Sequence, residues 1–296
     1  MNIKTNVVII SSMIFSTWAL AQSSFLYVAN NGSNTVASVL SSGSVAFFAN
    51  VNAPVGVTVN DGDVFVTNDA PGTITEVTPQ GGTSTYATGL THPQSLAFDN
   101  EGDLFASSGG GIDEVAPGGG AATTFVSSSD FGSGAFGLAF NSTGTLFVTG
   151  NGNTIYEVTS GGSASTFVTI PGFTAANGLA FDSSGNLYVA DYYADEVVKI
   201  TPGGTISTFA TGFNHPGFLA FDNNSNLYVT NIATSGANSN TIFEITPGQI
   251  VSTFASGLSQ PEGLAFVPEP AEWGLLGGVI ALGLALYRIS PFRKYS

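Results

Sequence analysis

The chain has 296 residues, 38 of them Gly, with 43% hydrophobic and 8% charged residues, enough for one large domain or two ordinary ones. It has no Cys, which excludes a disulfide framework, a thiol nucleophile and any Cys-based zinc site. The formal net charge is −15 and, of five basic residues, only Lys199 lies outside the terminal segments; setting Glu269 and Glu272 aside from the 20 acids leaves 18 in the body, a surface that repels phosphate backbones and excludes nucleic acid as a partner.

Residues 1–21 carry Lys4, an apolar run over 7–20 broken only by Ser and Thr, and the small residues Ala19 and Ala21 just before Gln22. This layout predicts a secretory signal helix with its cleavage site at Ala19 and Ala21. The run is shorter than the ~20 residues that a bilayer span needs, which disfavours a permanent anchor.

From residue 22 to 267 the sequence repeats. The most regular copy, GLAFDSSGNLYVAD over 178–191, reads as two short strands joined by a tight turn. Second strands begin at Leu26, Val64, Leu104, Leu146, Leu187 and Leu227, spaced 38, 40, 42, 41 and 40 residues apart. A period near forty with four strand-like runs per unit predicts an all-β, six-bladed propeller of four-stranded antiparallel blades. We label the strands of a blade a to d. The chain enters at a b strand, FLYVAN, and its last run, GLAFV, is an a strand, so the first blade is expected to close with the C-terminal strand, leaving no open edge. The a–b connections NDGD, DNEGD, NSTGT, DSSGN and DNNSN read as Asx-capped turns, and Asp99, Asp182 and Asp222 as turn residues. One register position of the c strands holds Ser38, Glu76, Glu114, Glu157, Lys199 and Glu244, which places Lys199 near Glu157 or Glu244 of a neighbouring blade.

Residues 268–296 begin Pro268-Glu269-Pro270, continue through an uncharged stretch over 273–287 and end with Arg288, Arg293 and Lys294. An apolar helix flanked by Trp273 and Tyr287 can cross a membrane and keep the basic tail cytoplasmic. Triplet, helix and tail resemble the PEP-CTERM sorting signal of Gram-negative bacteria that make extracellular polysaccharide. The resemblance implies processing by an exosortase-type membrane protease near the triplet. It also implies inner-membrane tethering through the helix beforehand, then delivery to the outer envelope, cell surface or extracellular matrix.

The repeat itself, PxGLAFDxxGNLYVADxxxxxVxKITPGG, resembles NHL-repeat propellers and, more loosely, the senescence marker protein/gluconolactonase superfamily. In those families strand a is innermost, and the rim where a starts and b ends opens on the central channel. The ring of side chains there would be Val55, Gln94, Phe136, Asn177, Gly217 and Glu262. Gluconolactonase-like enzymes place metal ligands at such positions, a Glu in an EG pair, an Asn in an NG pair and an Asp in a PDG triplet. Glu262-Gly263 and Asn177-Gly178 match, whereas Pro216 is followed by Gly217, so the Asp is missing. Asp191, at the end of the b strand after Asn177, is the candidate to complete a metal set of Asn177, Asp191 and Glu262, with Ca²⁺ or another divalent cation as the implied cofactor.

His92 and His215, the only histidines, both precede Pro ahead of an a strand, and with Tyr192 and Tyr193 they form a candidate ligand rim. Loops with Asp130, Phe131 and Phe173 fall on the same side; such aromatics either stack on sugar rings or cover the core. The sequence-level expectation is an exported propeller acting in recognition or as a scaffold beside exopolysaccharide or a surface protein, with no catalytic residue assigned. The alternative is a metal-dependent hydrolase or lactonase.

Overall fold

The computed structural model describes residues 24–267, apart from 133, 151, 174 and 237. The expected signal segment with Ala19 and Ala21, the triplet Pro268, Glu269 and Pro270, and both terminal helices lie outside the described residues. Among those described, helical structure amounts to two 3-10 turns, Asn31–Ser33 and Ser128–Phe131, and no helix is long and apolar enough to cross a membrane.

Six sheets stand around a common axis. The fifth blade is typical: strands Ala176–Phe181, Leu187–Asp191, Glu196–Ile200 and Ile206–Thr211 pair antiparallel in sequence order. In the first blade the closing strand Pro261–Phe266 pairs antiparallel with Ser24–Asn30, as expected, and Leu26 faces Phe266. One blade departs from four strands. In the second, the two-residue strand Gly120–Ala121 from the third blade adds in parallel to the outer strand Thr83–Thr88 and covers that edge.

The repeat dictates these elements residue by residue. Each longer a–b hairpin is tied by one Asx side chain. Asp182 Oδ1 accepts from the amides of Ser184 and Asn186 at 2.9 and 2.8 Å, and Asp99, Asn141 and Asp222 make the same pair of bonds. In four of the six a strands Gly precedes the core Leu or Val, and it has a packing reason: a Cβ on Gly178 would stand 2.6 Å from Phe218 Cα of the next blade. Only a bare backbone lets neighbouring inner strands approach this closely.

Between blades the core is aromatic. Tyr188, on the b strand, is held edge-on by Phe209 of its own outer strand at 4.8 Å and by Phe221 of the next blade at 4.9 Å. Phe65, Phe105, Phe147 and Tyr228 make the same three-ring contact, which accounts for the recurring pattern of LYV, AF and TF. Edge-to-face pairs of this kind contribute about 0.5–1.5 kcal/mol beyond the area they bury.

A second inter-blade link is polar. Every a strand with a full ladder carries a bulge, such as the shift between Ala176 and Leu179, which leaves an amide without a ladder partner. In three of these blades a fully buried hydroxyl takes it up, and in the third blade, whose short a strand has no bulge, Ser107 takes up an a-strand amide in the same way. Thr149 Oγ1 accepts from Gly137 N at 2.6 Å and donates to Asn177 O of the next blade at 2.8 Å; Thr67 and Ser107 repeat the relay, and Thr230 accepts from Phe218 N at 2.9 Å. Ala29 and Ala190 stand at this position in the other two blades.

Lys199 corrects the sequence expectation. It sits 3.9 Å from Asp182 Oδ2, over the Tyr188 ring at 5.5 Å, and not beside Glu157 or Glu244. Tyr188 pairs directly with Lys199 across the b–c ladder and donates its hydroxyl to Asp182, so the hairpin carboxylate of the same blade is already within reach. Against burial, which alone would raise it, hydrogen bonds from Asn186, Ser184 and Tyr188 hold the Asp182 carboxyl below its ordinary range.

Candidate functional site

The core Leu or Val of every a strand faces the axis. Val57, Leu96, Leu138, Leu179, Leu219 and Leu264 form an aliphatic collar around a cavity of about 260 Å³. Two residues earlier along each strand lies the mouth ring, and its six positions differ from one another. Val55 and Gly217 are buried, Gln94, Asn177 and Glu262 are half-buried, and Phe136 is 39% exposed. The collar position is aliphatic in all six blades, with Thr58 and Ser95 also on the cavity wall, whereas the mouth position differs from blade to blade.

The rim around it is built by one recurring device. The residue four before the core Leu or Val has a positive φ in four blades, His92 at 47° and His215 at 51° among them, which turns its side chain back toward the preceding blade. At His92 and His215 it meets the residue just after that blade's b strand. His92 Nδ1 lies 2.9 Å from Asp69 Oδ1, in an exposed pair. His215 lies flat on Tyr192, ring centroids 4.4 Å apart and planes within 3°, while Tyr193 stands edge-on to Tyr192 at 4.9 Å and is 67% exposed. Asp195 Oδ1 fixes the stack by accepting the His215 amide at 2.8 Å. Thus His215, Tyr192 and Tyr193 come together as one aromatic group, whereas His92 belongs to a separate pair with Asp69. The loop aromatics divide: Phe131 and Phe173 are buried in the core, and Phe136 and Tyr193 remain at the surface.

The three metal candidates have different surroundings. Asp191 is fully buried; its Oδ1 accepts from the amides of Tyr193 and Ala194 at 3.1 and 3.2 Å, and its Oδ2 has no hydrogen-bond partner among the described residues. Burial pushes its carboxyl up, the two amides pull it down, and Asp195 adds a smaller upward push. It belongs to the set of b-strand end residues, with Asn30, Asn68, Ser108 and Asn231, whose side chains tie down adjacent loops. Asn177 uses its carbonyl in the hydroxyl relay. Glu262 stands at the mouth with its carboxyl withdrawn from water and close to Asp69, and desolvation first, then that charge, push it up to about 7. Its influence reaches Tyr192, whose hydroxyl is pushed up by burial, by Tyr193, by Glu262 and by Asp195, in that order.

Among the described residues, no three His, Asp or Glu side chains group as metal ligands. Asn177 and Glu262 hold two of the mouth positions, but Gly217 stands where a third donor is expected and Asp191 has one oxygen already engaged. The oxygen set that a hard divalent cation needs is therefore incomplete.

Fold and rim define a six-bladed β-propeller with an aliphatic channel and an aromatic, acidic mouth. One chain of a nidogen/laminin complex superposes with a TM-score of 0.71 at 16% identity, over 82% of this chain and 97% of that one. A streptogramin B lyase follows at 0.60 and 18% identity, over 81% of this chain and 83% of that one. The virginiamycin B lyase of Staphylococcus aureus gives 0.61 and 18% identity, over 83% and 92%. No family model and no curated protein sequence matches the chain. At these identities the likeness defines the fold alone, and one fold hosts unrelated functions.

Proposed function

We propose that this chain is an exported propeller of the cell surface or extracellular matrix that works by recognition, associates with exopolysaccharide and is processed by an exosortase-type protease near Pro268, Glu269 and Pro270. The observation that carries the recognition half is the Tyr192–His215 stack with Tyr193 beside it. A flat, partly exposed aromatic group fixed by a rigid ring suits the apolar face of a sugar, and neighbouring Asn and Asp side chains suit its hydroxyls. The export half rests on the terminal sequence signals. Calorimetric titration of the full chain with a panel of neutral and amino oligosaccharides tests the recognition reading. We expect saturable binding that Tyr192→Ala removes; absence of heat for every sugar at millimolar concentration would overturn it.

One observation favours a second reading, a hydrolytic or eliminating enzyme. A carboxyl held at about 7 at the mouth of a channel is suited to general acid or base work at neutral pH. Glu262 is the group on which such an activity would rest, as a proton donor or acceptor.

A further inference from the structure

We propose that two copies of this chain associate through the outer strand of the first blade, Phe47 against Phe47 across a two-fold axis.

The first blade differs from the other five in charge. No Asp, Glu, Lys, Arg or His occurs from residue 5 to residue 60, a stretch that supplies the strands Ser24–Asn30, Thr35–Leu40 and Val45–Asn50. Of the 18 acids in the body, Glu262 alone belongs to this blade, and its strand is the innermost. The register makes the difference specific. Ser38 pairs with Ala46, where the corresponding c–d pairs of the other blades carry Glu76, Glu114, Glu157, Lys199 and Glu244. One position further along the outer strand, Phe47 stands where the other blades have Thr85, Thr124, Thr166, Thr208 and Thr253. This blade therefore carries an aromatic ring and no charge where its five counterparts carry a hydroxyl and a charge.

The ring is spare to the fold. Phe48 packs on Tyr27 at 4.4 Å, as the outer aromatic does in the other blades, whereas Phe47 is 65% exposed. No described strand pairs with the outer edge of Val45–Asn50; the turn at Gly81 approaches that edge at Phe48 O, and Ala46 and Phe47 are exposed. The strand has no Pro, Lys or Glu of the kind that keeps edge strands apart. In the second blade the corresponding edge, Thr83–Thr88, already accepts the strand Gly120–Ala121, so backbone pairing at this place is within the geometry of the fold.

Charge selects the occupant. A chain with a net charge of −15 repels a second copy over most of its surface. A two-fold contact places one patch against itself, so for this chain it requires an uncharged patch, and the outer wall of the first blade meets that condition. A basic partner would be drawn to the acidic blades. An antiparallel pairing about Phe47 puts both rings on one sheet face, near enough to touch, and withdraws them from water.

Sedimentation velocity of the full chain between about 1 and 300 µM should show a monomer–dimer equilibrium. Phe47→Thr, which installs the residue of the other five blades, should weaken it at least about tenfold and leave the melting transition cooperative. Added salt should tighten the dimer, because it screens the general repulsion and the contact has no ion pair to lose. The chain has no Cys, so a single one reports the contact. Ala46→Cys should cross-link to a dimer on mild oxidation, and Ser207→Cys, at the same position of the fifth blade, should not. A monomer at every concentration would overturn the proposal, as would a dimer that salt disperses or equal cross-linking of the two Cys variants. A dimer that Phe47→Thr leaves unchanged would also overturn it, by placing the contact elsewhere in the chain.

Discussion

Glu262 allows the sharpest test, because its protonation is tied to folding. Its carboxyl stands at about 7 in the folded chain against a reference value of 4.5, so the folded state keeps a proton that the unfolded chain has released over that interval. Stability follows the difference in bound protons, and here the unfolded state binds fewer, so stability falls as pH rises. The favourable contribution is complete below about pH 4.5, shrinks through the interval and is gone above about pH 7. At about 1.36 kcal/mol per unit, the loss is roughly 3 kcal/mol. Glu262→Gln removes the titration and keeps the shape. Urea denaturation of both proteins between pH 4.5 and 8 should therefore show wild type losing roughly 3 kcal/mol more than the variant, which should be the more stable of the two at pH 8. Parallel pH profiles would show that the Glu262 carboxyl is ordinary, and would remove the main support for the second functional reading.

Three further outcomes follow from the same structure. Thr149→Val preserves volume but strands the buried Gly137 amide and Asn177 carbonyl, and should cost roughly 2–4 kcal/mol in chemical denaturation, with a change below about 0.5 kcal/mol contradicting the relay. Millimolar Ca²⁺, Mg²⁺ or Zn²⁺ should leave the melting temperature unchanged, since the oxygen set is incomplete; a rise of several degrees would revive the metalloenzyme reading. Glu269→Ala should leave the chain unprocessed in a host with the sorting protease, and mass spectrometry showing the same mature mass as wild type would count against the export reading.

The blades were legible because their causes are local. Period, strand order and the Asx caps at Asp99, Asn141, Asp182 and Asp222 depend on residues within about five positions of one another, which sequence displays directly. Contacts across blades were less so. The hydroxyls of Thr67, Ser107, Thr149 and Thr230 are visible as the fourth residue of each LYVT-like run, yet their role depends on an a-strand amide and, for the first three, on a carbonyl nearly thirty residues away. Lys199 departs from what c-strand register suggests, because register compares blades whereas the nearer carboxylate belongs to its own hairpin. At the mouth, the sequence named His215, Tyr192 and Tyr193 but could not show that a positive φ lays the imidazole on one ring. Glu262 was visible as an EG match; its missing partner is a fact about neighbours, which only coordinates supply.

Closure of the first blade also sets an order of events. Asn30 Oδ1 accepts the amide of Ser259 across 229 positions of chain, and Leu26 faces Phe266. Joining points that far apart costs about 5 kcal/mol of chain entropy on the (3/2)RT ln n scale, against about 1 kcal/mol for a short hairpin. Blades two to six can each pair their strands as they are made, but the first waits with its inner place vacant until nearly the whole propeller has been synthesised. The ring therefore comes into being in one late step, and a mouth that depends on Glu262, carried by that last strand, does not exist before it.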